Sequence, residues 1–298
     1  MKKKILILIL FSFTSLLAQT AGNSGLSFLK LGFGARNIAM GDAGTALSND
    51  VTSLFYNPSA LAIDPASEIM LMHNEWIQDI RSEILGARTT VFGLPIALGF
   101  NVTSVNDIPV RINPGDPITT FNANYFFGSL STGYMVYNNV YFGTTLRYLY
   151  ESIYIDQSAG WGFDFGATYI TSVKGLNLSA VIKNLGSMKE LRNESTKLPT
   201  EFRIGPSYSF TLQDLYQITA AAEFQKYTPT SDIHFNLGAE FLYNKLIALR
   251  VGYQTGYITK NITAGLGLMW GNLSFDYALA PFQLGLGNGN ILSLQFKF

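Results

Sequence analysis

The sequence predicts an all-β fold: a 14-stranded antiparallel transmembrane β-barrel with an N-terminal plug segment. Three observations support it: alternating apolar and polar residues run through most of residues 67–298, the connections alternate between short and long, and the chain ends within an alternating segment. Hydrophobic residues make up 48% and charged residues 13% of the chain, against about 25% charged residues in soluble domains. The composition therefore suits a protein whose outer surface faces lipid.

Each predicted strand shows the two-residue period of an extended chain with one apolar face. In the last segment Leu292, Leu294, Phe296 and Phe298 share one face, and polar side chains occupy the other. Most segments are near the ten residues that a tilted strand needs to cross a membrane. The predicted strands are 67–75, 81–92, 95–104, 123–136, 139–150, 161–171, 175–184, 200–210, 215–226, 232–243, 245–254, 261–270, 272–279 and 290–298.

The connections between these strands differ systematically in length. Outer-membrane barrels have short periplasmic turns and longer outer loops, so the pattern predicts the outer membrane of a Gram-negative bacterium as the location. The short connections are 93–95, 137–139, 171–175, 211–214, 243–245 and 270–272. The long connections are 104–121, 151–160, 185–200, 227–232, 255–260 and 280–289.

Charged residues within the strands fall on the less apolar face. An Arg or Lys on the lipid face at mid-bilayer costs about 2–4 kcal/mol, so we expect these side chains to point into the lumen. Two roles remain open for them: they hold a filled lumen together, or they line a route or seat a ligand. The predicted lumen charges are Arg147, Asp164, Lys183, Arg203, Glu223, Glu240, Arg250 and Asp276.

The first residues predict export from the cytoplasm. Three lysines precede an apolar stretch over 5–17, and Ala18 is a suitable last residue before cleavage. A membrane anchor that stays attached is the alternative. No later segment offers 18 consecutive apolar residues, so no transmembrane helix is predicted. The chain has no cysteine, which excludes disulfides, thiolate chemistry and Cys-ligated metals.

Residues 19–66 combine small residues with few long alternations. Glycines such as Gly34 and Gly41 let the backbone pass close to other groups, and Asn57-Pro58 predicts a turn. Two placements fit this segment: a plug inside the barrel, or a periplasmic leader packed on the barrel mouth. The predicted organisation is a signal peptide over 1–18, this plug or periplasmic segment over 19–66, and the barrel over 67–298.

One stretch of that segment, "GARNIAMGDAGTALSNDVTSLFYNPSALA" (34–62), resembles the N-terminal signature of the PorV/PorQ family. This family lies within the wider FadL-like group of outer-membrane barrels. The segments 198–210, 237–256 and 264–282 resemble strand motifs of the same family. The signature positions in this chain are Gly34, Ala35, Arg36, Met40, Gly41, Asn57 and Pro58.

The resemblance implies a 14-stranded barrel that serves protein secretion or surface attachment through the type IX secretion system. Secretion-system or cargo proteins are then the expected partners, bound through the long loops, above all 104–121 and 185–200. FadL-like relatives instead pass hydrophobic small molecules through a plugged lumen, so a channel with a hydrophobic ligand is the alternative function. Phe298, at the end of an alternating strand, also resembles the C-terminal signal that barrel-assembly machinery reads.

A third function, an outer-membrane lipid hydrolase, requires a Ser–His pair. The chain has two histidines, His73 and His234, which lie far apart in sequence and are expected near strand ends as rim residues. No catalytic residue, cofactor or metal ligand is predicted. The formal net charge is zero, so there is no basic patch for nucleic acid. Outer-membrane lipid is the remaining expected partner.

Overall fold

The structure is a computed structural model that describes residues 25–230 and 232–298. Within these residues fourteen strands form a closed antiparallel barrel. The predicted signal peptide, residues 1–18, lies outside the described residues. In the described ranges no helix is both long enough and apolar enough to cross a membrane.

The barrel strands follow the fourteen predicted segments in order, with bounds that differ by a few residues. They are β1 (Glu68–Glu75), β2 (Ile80–Val91), β3 (Leu94–Val110), β4 (Thr119–Tyr137), β5 (Val140–Ile153), β6 (Asp156–Ile170), β7 (Leu176–Met188), β10 (Glu201–Leu212), β11 (Tyr216–Tyr227), β12 (Ile233–Tyr243), β13 (Ile247–Gln254), β14 (Ile262–Trp270), β15 (Leu273–Phe282) and β16 (Gly287–Lys297). A small hairpin, β8 (Glu190–Leu191) and β9 (Glu194–Ser195), lies between β7 and β10.

Two predicted long loops are shorter than expected because the strands continue into them. β5 and β6 stay paired as far as Ile153 and Asp156, where the sequence predicts a loop over 151–160. β3 and β4 stay paired as far as Val110 and Thr119, within the predicted loop 104–121. Most residues of the β3–β4 extension are exposed or half-buried, so both faces of these strand ends meet water. In the β5–β6 extension the inward residues Glu151 and Ser158 are buried polar side chains. The apolar alternation that reveals a strand is lost there, while the hydrogen-bond ladder continues.

The barrel closes between its first and last strands. β1 pairs with β16 over eight residues, from Glu68 opposite Lys297 to Glu75 opposite Asn290. The backbone N–H of Phe298 then donates to the carbonyl of Ser67 at 3.0 Å. Every barrel strand therefore has two neighbours, which satisfies the requirement that no open sheet edge faces lipid.

The two faces of the wall differ in exposure. In β12 and β13 exposed and buried residues alternate almost throughout. The exposed members include Leu237, Leu249 and Val251, with exposed fractions of 49%, 52% and 53%. A continuous exposed apolar surface of this kind is suited to lipid.

The short connections use residues in the left-handed conformation. Asn244 and Lys245 (φ 49° and 53°) join β12 to β13, and Gln213 and Asp214 (φ 53° and 54°) join β10 to β11. Two successive positive φ values are typical of a type I′ turn, whose twist matches that of paired strands. These turns lie at the end of the barrel that holds Phe298, named here the short-turn end. The opposite end is named the loop end.

Residues 25–66, named here the inner segment, lie inside the barrel. They form two 3₁₀ turns (Ser27–Lys30 and Pro58–Ala62) and two short helices, α1 (Ala35–Ala39) and α2 (Ser53–Tyr56). The segment hydrogen-bonds to inward side chains of widely separated strands, including Ser293 of β16, Glu223 of β11 and Thr168 of β6. Most of its side chains are buried, so the segment and the wall share one core.

We predict that Gly252→Ala loosens the inner segment while the barrel stays closed. A Cβ at Gly252 would overlap the backbone of Gly41, which has φ 69°, and overpacking costs about 1–3 kcal/mol. Limited proteolysis of the inner segment should become faster, whereas the folded band in unheated SDS electrophoresis should persist. Gly128→Ala is the control, since its nearest contacts lie at an ordinary 3.6 Å. Equal protease resistance of the two variants would contradict the prediction.

Candidate functional site

The signature residues that begin α1 contact the closing seam of the barrel. The Gly34 N–H donates to the sulfur of Met72 at 3.0 Å, and the Ala35 N–H donates to Ser293 Oγ at 2.8 Å. Gly34 has φ 80°, a left-handed conformation that glycine adopts without steric cost. This local geometry orients α1 so that its next residue, Arg36, reaches Glu240 of β12.

Met40 and Gly41 follow α1 and pack against β12 and β13. Met40 is fully buried with Ala221 in a small apolar cluster. Met40 lies directly against Gly238, and Gly41 lies directly against Gly252; a side chain at either wall glycine would collide with the inner segment. The Met40-Gly41 pair therefore marks a close approach of the inner segment to the wall.

Asn57 and Pro58 anchor the last turn of the inner segment. The Asn57 side chain accepts from the Ser59 N–H at 3.2 Å and donates to Thr168 Oγ1 at 3.1 Å. Pro58 begins the 3₁₀ turn that follows, a position that suits its fixed φ and missing N–H. Asn57 thus caps the turn and ties it to β6.

Arg36 joins three of the predicted lumen charges in one network, the Arg36 network. Its guanidinium donates to both carboxylate oxygens of Glu240, at 2.9 Å and 2.8 Å. Arg250 also donates to Glu240 at 2.6 Å and to Asp276 at 2.6 Å. The two positive and two negative side chains link α1 to β12, β13 and β15 near the short-turn end.

A second network surrounds Arg203 nearer the loop end. Arg203 lies 3.0 Å from Glu201, 3.1 Å from Glu223 and 3.1 Å from Asp42 of the inner segment. Lys183 lies 3.1 Å from Glu201. This Arg203 network, the five residues together, therefore also spans the inner segment and the wall.

Two further buried pairs complete the set of inward charges described here. Arg147 donates to Asp164 at 2.8 Å and to Asn184 at 2.7 Å. Arg88 donates to Glu68 at 2.9 Å and 3.0 Å. The carboxylate of Glu68 also accepts from the Val51 N–H of the inner segment at 2.7 Å.

All eight predicted lumen charges are buried on the inward side of the wall. Each lies within 3.1 Å of an opposite charge. Breaking a buried pair leaves an uncompensated charge, so this arrangement favours the first of the two roles, holding a filled lumen together. A charge that captures a diffusing ligand would need a free coordination position, and these carboxylates are engaged by the protein.

An apolar cluster fills the part of the lumen next to β3, β4 and β5. Phe33 stacks on Phe55 with ring centroids 4.7 Å apart, and Phe127 lies 5.8 Å and 6.0 Å from these two rings. Phe28 stacks on Tyr125 at 5.2 Å. Leu29, Leu149, Met188 and Leu198 extend the same cluster. One side of the lumen is thus aromatic and aliphatic, while β7 and β10–β15 carry most of the charge.

A cavity opens above this cluster at the loop end and is named the mouth pocket. Its volume is about 500 Å³. It is lined by Ser27, Lys30, Leu31, Trp76, Tyr227, Asp232, His234, Gly256, Tyr257, Ile258, Thr259, Lys260 and Phe282. Leu31 and Trp76 also pack against the apolar cluster, so the pocket floor is continuous with it.

Aromatic rings and two lysines shape the mouth pocket. His234 stacks on Tyr257 at 3.9 Å, and Trp76 meets Phe282 edge-on at 5.1 Å. The Lys260 ammonium lies 4.4 Å from the centre of the Tyr257 ring. Such cation–π contacts are favourable where water is excluded.

The two lysines of the mouth pocket are partly withdrawn from water. Burial lowers the pKa of Lys260 and, with opposition from the charge of Asp232, also that of Lys30. Lys30 lies 4.7 Å over the ring of Tyr227. The pocket therefore combines aromatic walls with the ammonium groups of Lys30 and Lys260 and the carboxylate of Asp232.

The histidines lie on different surfaces. His73 lies two residues before the end of β1, points outward and is 2.6 Å from Glu83 of β2. His234 is buried in the mouth pocket, where its Nδ1–H donates to the carbonyl oxygen of Thr255 at 3.1 Å. The two rings do not share a site. Among the described residues no cluster of three or more His, Cys, Asp or Glu side chains could hold a metal ion.

Sequence reasoning missed several buried residues of these networks. Glu201 lies two residues before Arg203 and therefore on the same face of β10, so the strand alternation could have identified it as an inward residue. Glu68 shares the inward face of β1 with Met70 and Met72, and those apolar neighbours hide it. The mouth pocket had no such signal because its residues come from five separate parts of the chain.

Comparison with known proteins gave matches among solved structures alone: no family model and no curated protein matches the chain. The toluene transporter TbuX of Ralstonia pickettii is 13% identical, with 90% of this chain and 98% of that chain covered and a TM-score of 0.61. The monoaromatic hydrocarbon channel CymD is 11% identical, with coverage of 90% and 98% and a TM-score of 0.65.

A FadL homologue of Pseudomonas aeruginosa is 11% identical, with 89% of this chain and 96% of that chain covered and a TM-score of 0.52. Identities this low establish the fold alone. The chain has the fold of the FadL-like outer-membrane barrels, as the sequence resemblance implied for the wider group. Its narrower resemblance to the PorV/PorQ family stays a prediction.

We predict that Arg36→Ala destabilises the folded barrel by about 1.5–3 kcal/mol, because the buried Glu240 carboxylate loses the hydrogen bonds of Arg36 and keeps only Arg250. The loss of the folded band in unheated SDS electrophoresis should occur at a lower urea concentration. Arg192→Ala is the matched control, since Arg192 is 72% exposed and 4.0 Å from Asp156, and surface pairs contribute about 0–1 kcal/mol. A midpoint for Arg36→Ala equal to that of the control would refute the structural role of the network.

Proposed function

We propose that this protein is an outer-membrane channel for hydrophobic small molecules. One observation carries the proposal: an aromatic mouth pocket of about 500 Å³ rests on an apolar cluster that continues into the barrel. Ligand sites are concave and mostly apolar, with a few placed polar groups, and the mouth pocket has this character. Its fold-level relatives include proteins described as a toluene transporter and a monoaromatic hydrocarbon channel.

In this proposal the inner segment acts as the plug. Phe28, Phe33 and Phe55 fill the apolar side of the lumen together with Phe127 of β4. A ligand leaving the mouth pocket would exchange one set of aromatic contacts for another as these side chains move. The ion pairs on the other side of the lumen would keep the inner segment in place during this movement.

Export and assembly complete the proposal. Residues 1–18 would direct the chain out of the cytoplasm, and Phe298 would serve as the assembly signal. Phe298 follows the last residue of β16, is 63% exposed and stacks on Phe296 at 6.0 Å. These features leave its ring accessible on the short-turn side.

Partner binding for secretion or surface attachment is the second candidate function. It is favoured by the sequence resemblance and by the β8–β9 hairpin, whose residues 190–195 are mostly exposed at the loop end. Replacing Glu190, Arg192 and Glu194 together with serine should then abolish capture of secretion-system or cargo proteins from outer membranes. Capture of the same partners by the variant and the unaltered protein would reject this candidate.

We predict that Tyr257→Ala lowers uptake of a radiolabelled monoaromatic hydrocarbon by Gram-negative cells that produce the protein. An aromatic contact contributes about 0.5–1.5 kcal/mol beyond burial, so uptake at low probe concentration should fall about twofold to tenfold. Tyr253→Ala is the control, because Tyr253 lies on the outward face of β13 and is 45% exposed. If cells that produce the unaltered protein take up the probe no faster than cells without it, the transport proposal is overturned.

A further inference from the structure

The inward face of β1 carries a buried amide that none of the networks described above includes. Asn74 is 1% exposed, and neither the nitrogen nor the oxygen of its side chain has a hydrogen-bond partner among the described residues. Buried polar groups in folded proteins are nearly always bonded to protein, ordered water or a ligand, because an unpaired one is costly. An amide left without a partner on both atoms therefore points to a molecule from outside the chain.

Asn74 lies one inward row below the floor of the mouth pocket. The next inward residue of the chain is Trp76, which lines that pocket. The Trp76 ring lies against Gly289 of β16, where a Cβ would come within 2.6 Å of it. Gly289 precedes Ile291 on the inward face, and Ile291 is opposite Asn74 in register. The Trp76 indole thus lies between the level of Asn74 and the mouth pocket.

Asn74 begins a row of polar side chains that crosses the inner wall at one level and is named the polar row. Its members are paired in register from β1 to β6, and all lie on the inward face: Asn74, Ser82, Thr103, Tyr125, Glu151 and Ser158. Met72 and Ile84 of the apolar cluster occupy the next inward row below Asn74 and Ser82. A ligand that moves from the mouth pocket to the apolar cluster on this side of the lumen would therefore cross the polar row.

Most other members of the polar row already have partners. Ser82 Oγ and Thr103 Oγ1 are hydrogen-bonded to each other at 2.8 Å. Glu151 accepts from the Thr196 hydroxyl, and the Ser158 hydroxyl donates to the Lys189 carbonyl at 2.6 Å. Asn74 keeps both its donor and its acceptor for a ligand.

The chemistry of the polar row favours a neutral hydroxyl group on that ligand. The row contains no basic side chain, so it cannot neutralise a buried anionic group, which would need a cation. A primary amide both donates and accepts, and so does a hydroxyl. A purely apolar ligand would leave the Asn74 amide unpaired, and sites with such a group discriminate against analogues that lack the hydroxyl.

We propose that Asn74 is a specificity-determining residue that binds the hydroxyl group of phenol-type monoaromatic compounds, and this inference rests on the proposed channel function. The ligand hydroxyl donates to Asn74 Oδ1 and accepts from Asn74 Nδ2. The Trp76 indole moves aside to admit the ligand, whose ring then packs on the apolar side chains of the row below. Phenol-type compounds are therefore preferred over hydrocarbons of the same size.

Two probes of nearly equal size, 4-fluorophenol and 4-fluorotoluene, separate the hydroxyl from the ring. Their dissociation constants are measured by fluorine NMR on the purified protein in detergent micelles, with protein-free micelles as the blank. Asn74→Leu replaces the amide with an apolar side chain of similar size, and Asn74→Ala is the second variant if Asn74→Leu gives no folded band. Thr145→Val is the control, because Thr145 is a buried inward residue whose hydroxyl is bonded to Ser131 at 2.8 Å.

The unaltered protein and Thr145→Val are expected to bind 4-fluorophenol more tightly than 4-fluorotoluene. Asn74→Leu should weaken binding of 4-fluorophenol about twofold to tenfold, as for one lost hydrogen bond, and leave binding of 4-fluorotoluene unchanged or tighter. Equal affinity of Asn74→Leu and the unaltered protein for 4-fluorophenol would mean that Asn74 holds ordered water only, which overturns the inference.

The remaining outcomes separate this inference from the proposed function. Equal weakening of both probes by Asn74→Leu would make Asn74 a structural residue and overturn the inference. Binding of 4-fluorotoluene without any preference for 4-fluorophenol would overturn the inference and leave the channel proposal standing. Failure of the unaltered protein to bind either probe would overturn both.

Discussion

The structure depends on one constraint: in hydrocarbon, each backbone N–H and C=O must find a partner within the protein. The eight-residue pairing of β1 with β16 meets it by removing the last free edge. Once the sheet is closed, its inward side chains need partners of their own. The inner segment supplies them, through apolar packing on one side and ion pairs on the other.

The lumen has an aromatic side and a side that carries most of its charge. The aromatic side, around Phe33, Phe55 and Phe127, can exchange one apolar contact for another at little cost because such contacts are not directional. The charged side cannot, since separating Arg36 from Glu240 would take a buried guanidinium away from its carboxylate partner. In the proposed channel, an inner segment built in this way would yield on one side while it is held on the other. The division is then the structural basis of the proposed passage of apolar molecules.

Much of the fold could be predicted from local pattern. Alternation such as Leu292 to Phe298 identifies strands, and the cost of charge in lipid assigns Arg250 or Asp276 to the interior. The ion pairs could not be predicted from the sequence, because Arg36 and Glu240 are 204 residues apart and no local rule joins them. The mouth pocket was missed for the same reason: Lys30, Trp76 and Tyr257 meet through closure of the barrel. The strand extensions beyond residues 104 and 150 were missed because apolar alternation ends where lipid ends.

The central claim is that the lumen is closed to water and passable to apolar molecules. The most direct test compares two fluxes in the same reconstituted vesicles: entry of a radiolabelled monoaromatic hydrocarbon and leakage of a small polar sugar. The account predicts faster hydrocarbon entry than in empty vesicles, with sugar leakage unchanged. Sugar leakage above that of empty vesicles, or hydrocarbon entry equal to theirs, would contradict it.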